Sequence, residues 1–227
     1  MQHMLMIDGI PYSGKTTFGR SLTEANSRFT HLEFDDLLCE LGRNGELYFK
    51  YLKKIAPDAY ERIQSYFSRL NIHDPQSQLL KHIELIHKEE QGIEKWRQSL
   101  ILSAMEYLTD KLGNIDGQKV PIIEAAFLKR MVRGTLLSRL QKYDIMQTTK
   151  TIVFFNYGLE VSLQRYAENP HKRTLPLGFT NNEGGIRMDH TQQEIPEECE
   201  MLNLDVIVIE NTEQETQARK QLIINFS

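Results

Sequence analysis

Cysteine is scarce: the 227-residue chain has two, Cys39 and Cys199, and no CxxC pair. That excludes a zinc ribbon and argues against a disulfide scaffold, leaving two reduced thiols as the expectation. No stretch approaches the roughly eighteen apolar residues of a membrane-spanning helix, and no basic-then-apolar leader opens the chain. The expected setting is therefore soluble and cytoplasmic, with no membrane partner. No excess of positive charge is present, since the net charge is −4, so nothing global points to nucleic acid. HExxH and G-x-S-x-G are both missing, which removes the zinc-protease and serine-hydrolase readings. His82 and His87 are five apart and so do not share a helix face as zinc ligands would; every histidine is read as structural or superficial. Internal repeats and low-complexity tracts are lacking as well.

What is present suits one α/β domain. Hydrophobic residues make up 40% of the chain, enough for a packed core. Met4–Ile7 is a short apolar run leading into a glycine turn, and reads as a buried first strand. Thr16–Ala25 reads as a helix, with Phe18 and Leu22 four apart. Phe29–Phe34 reads as a second strand ending at Asp35-Asp36, Val120–Ile123 as a third ending at Glu124, Thr151–Phe155 as a fourth and Leu204–Ile209 as a fifth. Helices are expected over Ala59–Leu70, Gln76–Glu90, Ile93–Leu112, Leu128–Lys142, Leu159–Glu168 and Glu213–Ile224. In the third of these, Trp96, Leu100, Ala104, Leu108 and Leu112 form an apolar stripe at four-residue spacing. Strands alternating with helices imply a parallel sheet covered on both faces. Residues 41–114 are too long for a simple crossover and are read as a helical insertion or substrate subdomain. Residues 169–201, with weak periodicity and several Gly and Pro, are read as a lid-like flap.

The strongest signal is Gly9-Ile10-Pro11-Tyr12-Ser13-Gly14-Lys15-Thr16, which fits G-x-x-x-x-G-K-[ST] between a strand and a helix. Gly9 and Gly14 let the backbone curl so that successive N–H groups, including those of Tyr12, Ser13, Thr16 and Thr17, face phosphate oxygens. Lys15 supplies a charge for the β- and γ-phosphates, Thr16 offers a hydroxyl to magnesium, and the helix that starts here aims its positive end at the anion. ATP with Mg2+ is the expected ligand.

Ligands of open α/β sheets lie beyond the carboxyl ends of the strands. Asp35 is accordingly assigned as general base for an incoming hydroxyl, and Asp36 as a supporting substrate contact; an N-cap role for the pair is the competing reading. Glu124 is assigned to the magnesium shell or to a hydrogen bond on the substrate. Arg165, on the helix after the fourth strand, and Arg173, on the flap, are assigned to neutralising charge on the transferring phosphoryl group; Arg187 is a weaker candidate on the same flap. Asn211, just after the fifth strand, stands where an adenine-binding loop is expected on topology.

Together, the Gly9–Thr16 turn, the Asp35-Asp36 pair, Glu124 and the two arginines resemble the P-loop kinases that phosphorylate a hydroxyl. Three relatives are similar: the chloramphenicol phosphotransferase-like group, the polynucleotide 5′-kinases with their paired aspartates at a strand end, and the zeta-toxin family with its glutamate after strand three and long helical insertion. Arg165 and Arg173 are eight residues apart, closer than the arginine pair of the zeta toxins. The resemblance implies a P-loop NTPase fold, a five-stranded parallel sheet in the order 2-3-1-4-5 with a helical insertion between strands 2 and 3. It implies a phosphotransferase moving the γ-phosphate of ATP to a hydroxyl on a small-molecule or nucleotide-like acceptor. A zeta-toxin-like kinase of an activated sugar and a nucleotide-gated ATPase switch are the alternatives. The deoxynucleoside kinases are disfavoured, because no Asp-Arg-Ser triplet follows the third strand.

Overall fold

The computed structural model describes residues 3–70, 92–124, 149–168, 195–201 and 204–226. The helices expected over Gln76–Glu90 and Leu128–Lys142 lie outside the described residues, as do Arg173, Arg187 and all of the expected flap except its last seven residues. The chain divides into two compact units, one formed by Met1–Glu33 with Ile115–Ser227 and the other by Phe34–Asn114.

The first unit holds a five-stranded sheet: β1 (His3–Gly9), β2 (Phe29–Glu33), β3 (Val120–Glu124), β4 (Thr149–Phe155) and β5 (Asp205–Ile209). All pairings are parallel and the order is β2-β3-β1-β4-β5. This is the order implied by the resemblance, and the helical segment between β2 and β3 is where it was expected. Met4, Leu5, Met6 and Ile7 of the central strand are at most 1% exposed, so β1 is buried on both faces. That is why it reads as an uninterrupted apolar run rather than an alternating one.

Helix α1 (Lys15–Ala25) buries Phe18 and Leu22 in a core with Leu5, Ile7, Phe29, Val153 and Phe155. The last helix of the unit, spanning Thr212–Asn225, adds Ala218 and Leu222 to the same core. The helix that follows β4 spans Gly158–Glu168.

The second unit consists, among its described residues, of α2 (Phe34–Arg43), α3 (Gly45–Ile55), α4 (Pro57–Leu70) and α5 (Gly92–Gly113). The helices of the first unit that follow are α6 (Gly158–Glu168), α7 (Ile195–Met201) and α8 (Thr212–Asn225). Helix α7 was not expected from sequence; Ile195 and Cys199, four apart and at most 1% exposed, are its anchoring pair.

The end of β2 and the buried face of α5 both differ from expectation. Strand β2 stops at Glu33, and Phe34 is the buried first residue of α2, so Asp35 and Asp36 sit in the first turn of a helix rather than at a strand end. Carboxylates are favoured there by the helix dipole, and a large apolar residue just ahead of them is ambiguous between a strand end and a helix start. In α5 the expected stripe is too narrow: every residue from Ser103 to Thr109 is buried. Several of its polar residues find partners, although the buried Ser103 Oγ has none among the described residues. Lys54 holds the Glu106 carboxylate at 2.6 Å, Tyr51 donates to Asp110 at 3.1 Å, and Tyr107 donates to Glu40 at 2.7 Å.

Candidate active site

The turn between β1 and α1 has the backbone its sequence calls for. Gly9 and Gly14 have φ of 152° and 107°, and Tyr12 between them also has a positive φ of 64°. A side chain at Gly9 is excluded by space as well: a Cβ there would lie 2.7 Å from Ser13 Oγ and 2.9 Å from Phe155 Cβ. The Ser13 N–H closes the turn on the Ile10 carbonyl at 3.2 Å. At the entrance, Asp8 is 1% exposed and accepts the Gly9 N–H at 2.7 Å. Helix α1 begins at Lys15 with no side chain capping it and no acid in its first turn. Its leading N–H groups thus keep the partial positive charge that attracts phosphate.

Lys15 is 6% exposed; its ammonium donates to the Ile10 carbonyl at 2.7 Å and lies 3.5 Å from Ser13 Oγ. Arg165 reaches the turn from α6 and donates to the Ser13 carbonyl at 2.6 Å. Its guanidinium lies 4.3 Å from the ring centroid of Tyr157, a cation–π distance, and the Tyr157 hydroxyl is anchored on Glu215 at 2.8 Å. Two positive side chains from distant parts of the chain therefore converge on one glycine turn. Tyr12 packs edge-on against Tyr166, the residue after Arg165, with ring centroids 5.1 Å apart.

On the other side, the Thr16 hydroxyl donates to Glu124 Oε1 at 2.6 Å, and His31 Nε2 lies 2.9 Å from Glu124 Oε2. Burial alone would raise the Glu124 pKa. The hydrogen bonds from His31 and Thr16, with the Lys15 charge, more than offset it and hold the carboxyl below its ordinary range. A hydroxyl and an ionised carboxylate are the hard oxygen donors that Mg2+ takes. These two groups fit that ion, and the glycine-lined turn fits a polyphosphate.

The structure thus brings Gly9, Tyr12, Ser13, Gly14, Lys15, Thr16, Glu124 and Arg165 to one rim of the sheet. Thr17 follows in the first turn of α1 with an exposed side chain. Asp35 and Asp36 are exposed and belong to the second unit. Asn211 is the N-cap of α8, its side chain accepting the Gln214 N–H at 2.9 Å. Sequence reasoning missed His31, Tyr157 and Asp8. For His31 a signal existed: His31 and Glu33 alternate on β2, on the strand that comes just before the paired aspartates.

No family model matches the chain, and no curated protein matches it. Solved structures similar to it include three at low identity. One is a sugar kinase from Janibacter sp., at 15% identity and TM-score 0.47, covering 99% of this chain and 92% of that one. Another is a deoxyadenosine kinase from M. mycoides with bound dATP, at 9% and 0.49, covering 98% and 97%. The third is a gluconokinase from Sinorhizobium meliloti, at 15% and 0.44, covering 98% and 94%. Among the described residues no helix is long and apolar enough to cross a membrane. The parallel order β2-β3-β1-β4-β5, with the Gly9–Thr16 turn joining β1 to α1, gives this chain the P-loop NTPase fold.

Proposed function

We propose that the protein is an ATP-dependent phosphotransferase that moves the γ-phosphate to a hydroxyl group on a small-molecule or nucleotide-like acceptor. The observation that carries this reading is the convergence of Lys15 and Arg165 on a turn shaped by Gly9 and Gly14, with Thr16 and Glu124 joined beside it. Phosphoryl transfer asks little covalent chemistry of a protein; it asks for positioning and for charge where the transferring oxygens gather it. The N–H groups of the turn and of the first turn of α1 bind and orient the phosphates. Lys15 and Arg165 neutralise charge on the transferring group, and Arg173 joins them in this reading. Thr16 and Glu124 would hold magnesium, which would supply further neutralisation of phosphate charge.

Asp35 follows the end of β2 by two residues. In this reading it accepts the acceptor's hydroxyl proton as the oxygen forms its bond to the γ-phosphorus. The bond from that phosphorus to the bridging oxygen breaks, and ADP and a phosphate monoester result. Asp36 contacts the acceptor, Asn211 borders the adenine, and the 41–114 segment selects the acceptor. Residues 169–201 act as a lid that excludes water.

ATP consumption with and without a panel of hydroxyl compounds tests the reading. The expected result is stimulation by one chemical class of acceptor, with a phosphorylated product recovered. Turnover that ignores every acceptor but responds to an added protein would instead identify a nucleotide-gated switch.

A further inference from the structure

Glu124 is held by both of its oxygens. Oε1 accepts the Thr16 hydroxyl at 2.6 Å and Oε2 lies 2.9 Å from His31 Nε2, with both the His31 and Glu124 side chains more than nine-tenths buried. The two contacts come from different elements: Thr16 from the start of α1, His31 from the middle of β2. They meet because β2 pairs directly with β3, setting His31 opposite Ile122 and Glu33 opposite Glu124. Glu33 on the same strand brings a carboxylate oxygen within 4.8 Å of the ligand atoms of His31 and Glu124, and is itself engaged by Arg20 at 2.7 Å. The Glu124 carboxyl, ionised, can only accept. In this contact, therefore, Nε2 carries the proton and donates it. A Thr16 hydroxyl whose proton is given to Oε1 keeps its oxygen lone pairs for another partner.

Gly19 shows that the fold reserves room for the imidazole. This residue lies inside α1, where glycine costs about 1 kcal/mol relative to alanine. A Cβ at Gly19 would stand 2.6 Å from His31 Nε2, 2.8 Å from Cε1 and 3.0 Å from Cδ2. The ring sits against bare helix backbone, and only glycine permits it.

We propose that His31 is a positioning residue for the divalent-cation shell of the nucleotide site: it fixes the Glu124 carboxylate so that Oε1 holds the Thr16 proton and presents the Thr16 oxygen to the metal. This rests on the reading of the turn as an ATP site. His31 touches neither nucleotide nor metal; it acts through Glu124, as the hydrogen-bonded partners of metal ligands generally do.

The test measures binding rather than turnover. ATP affinity in EDTA is compared with the affinity of the protein–ATP complex for Mn2+, followed by electron paramagnetic resonance, in the intact chain. His31→Leu keeps bulk but donates nothing, and is expected to hold Mn2+ about tenfold more weakly, with metal-free ATP affinity within about twofold of the parent. His31→Gln places an amide N–H near the position of Nε2 and is expected to recover most of that loss. Gly19→Ala leaves every ligand in place but drives the ring off Glu124. It is expected to weaken Mn2+ like His31→Leu despite alanine's better helix propensity. Equal Mn2+ affinity in His31→Leu, or in Gly19→Ala, overturns the role of His31 while leaving the ATP site standing. A parent protein that binds no ATP with or without metal overturns the nucleotide site itself, and this proposal with it. Should His31→Leu lose metal-free ATP binding through misfolding, the Gly19→Ala and His31→Gln pair decides. Weakening in the first with retention in the second upholds the role, and any other pattern overturns it.

Discussion

Lys15→Ala is expected to lower ATP turnover by about a thousandfold and to weaken ATP binding as well, with little change in melting temperature. The ammonium is almost fully buried against the glycine turn, 2.7 Å from one of the turn's own carbonyls. Its loss removes attraction to the bound phosphates and stabilisation of charge that grows during transfer, so both affinity and rate fall. The structural cost lies in the hydrogen bonding of the ammonium, which includes the Ile10 carbonyl and Ser13 Oγ, while alanine suits the first turn of a helix. Parallel assays of ATP consumption, calorimetric ATP binding and thermal unfolding separate these effects. Full activity in the variant would contradict the site.

Asp35→Asn carries the second largest expected effect, a drop in turnover of at least about a hundredfold with ATP affinity little changed. An amide has the shape of the carboxylate but cannot take a proton, so the substitution removes basicity and leaves the geometry. The structure also offers a plainer role, since Asp35 and Asp36 both occupy the first turn of α2, where negative charge favours the helix dipole. That role is worth about 0.3–1 kcal/mol for an exposed group and has no bearing on rate. Asp36→Asn is therefore the control: it should cost α2 a similar small amount of stability and leave the chemical step far less affected than Asp35→Asn does. An unaffected rate in Asp35→Asn, with stability lowered alike in both, would leave the pair as helix-terminal charges and remove Asp35 as base.

The parts of the site legible in the sequence are those whose chemistry is local. Gly9, Gly14, Lys15 and Thr16 lie within eight consecutive positions, and the positive φ at both glycines is a requirement that few other residues meet. Glu124 was legible because it closes an apolar run, and strand ends are where open α/β sheets place ligands. Arg165 was legible as a basic residue on the helix after the fourth strand, though not its partner, a carbonyl 152 positions earlier.

What was hidden depends on strand pairing. His31 reads as an unremarkable strand histidine until β2 is set beside β3, which brings it onto a carboxylate 93 positions away. Tyr157 and its link to Glu215 likewise need the last helix in place. The start of α2 was misread because Phe34 is equally apolar whether it ends a strand or begins a helix, and only tertiary burial decides. Helix α7 is anchored by two buried residues, too few to set a periodicity.

In the proposed function the backbone of residues 9–16 grips the phosphates of ATP. Amide hydrogen exchange on the intact protein, with and without magnesium-ATP, reads that backbone directly. Strong slowing of exchange across Gly9–Thr17 is expected on adding magnesium-ATP, and much weaker slowing in Lys15→Ala. Binding of ATP with the exchange of these amides unchanged, and protection gathered elsewhere in the chain, would contradict that grip.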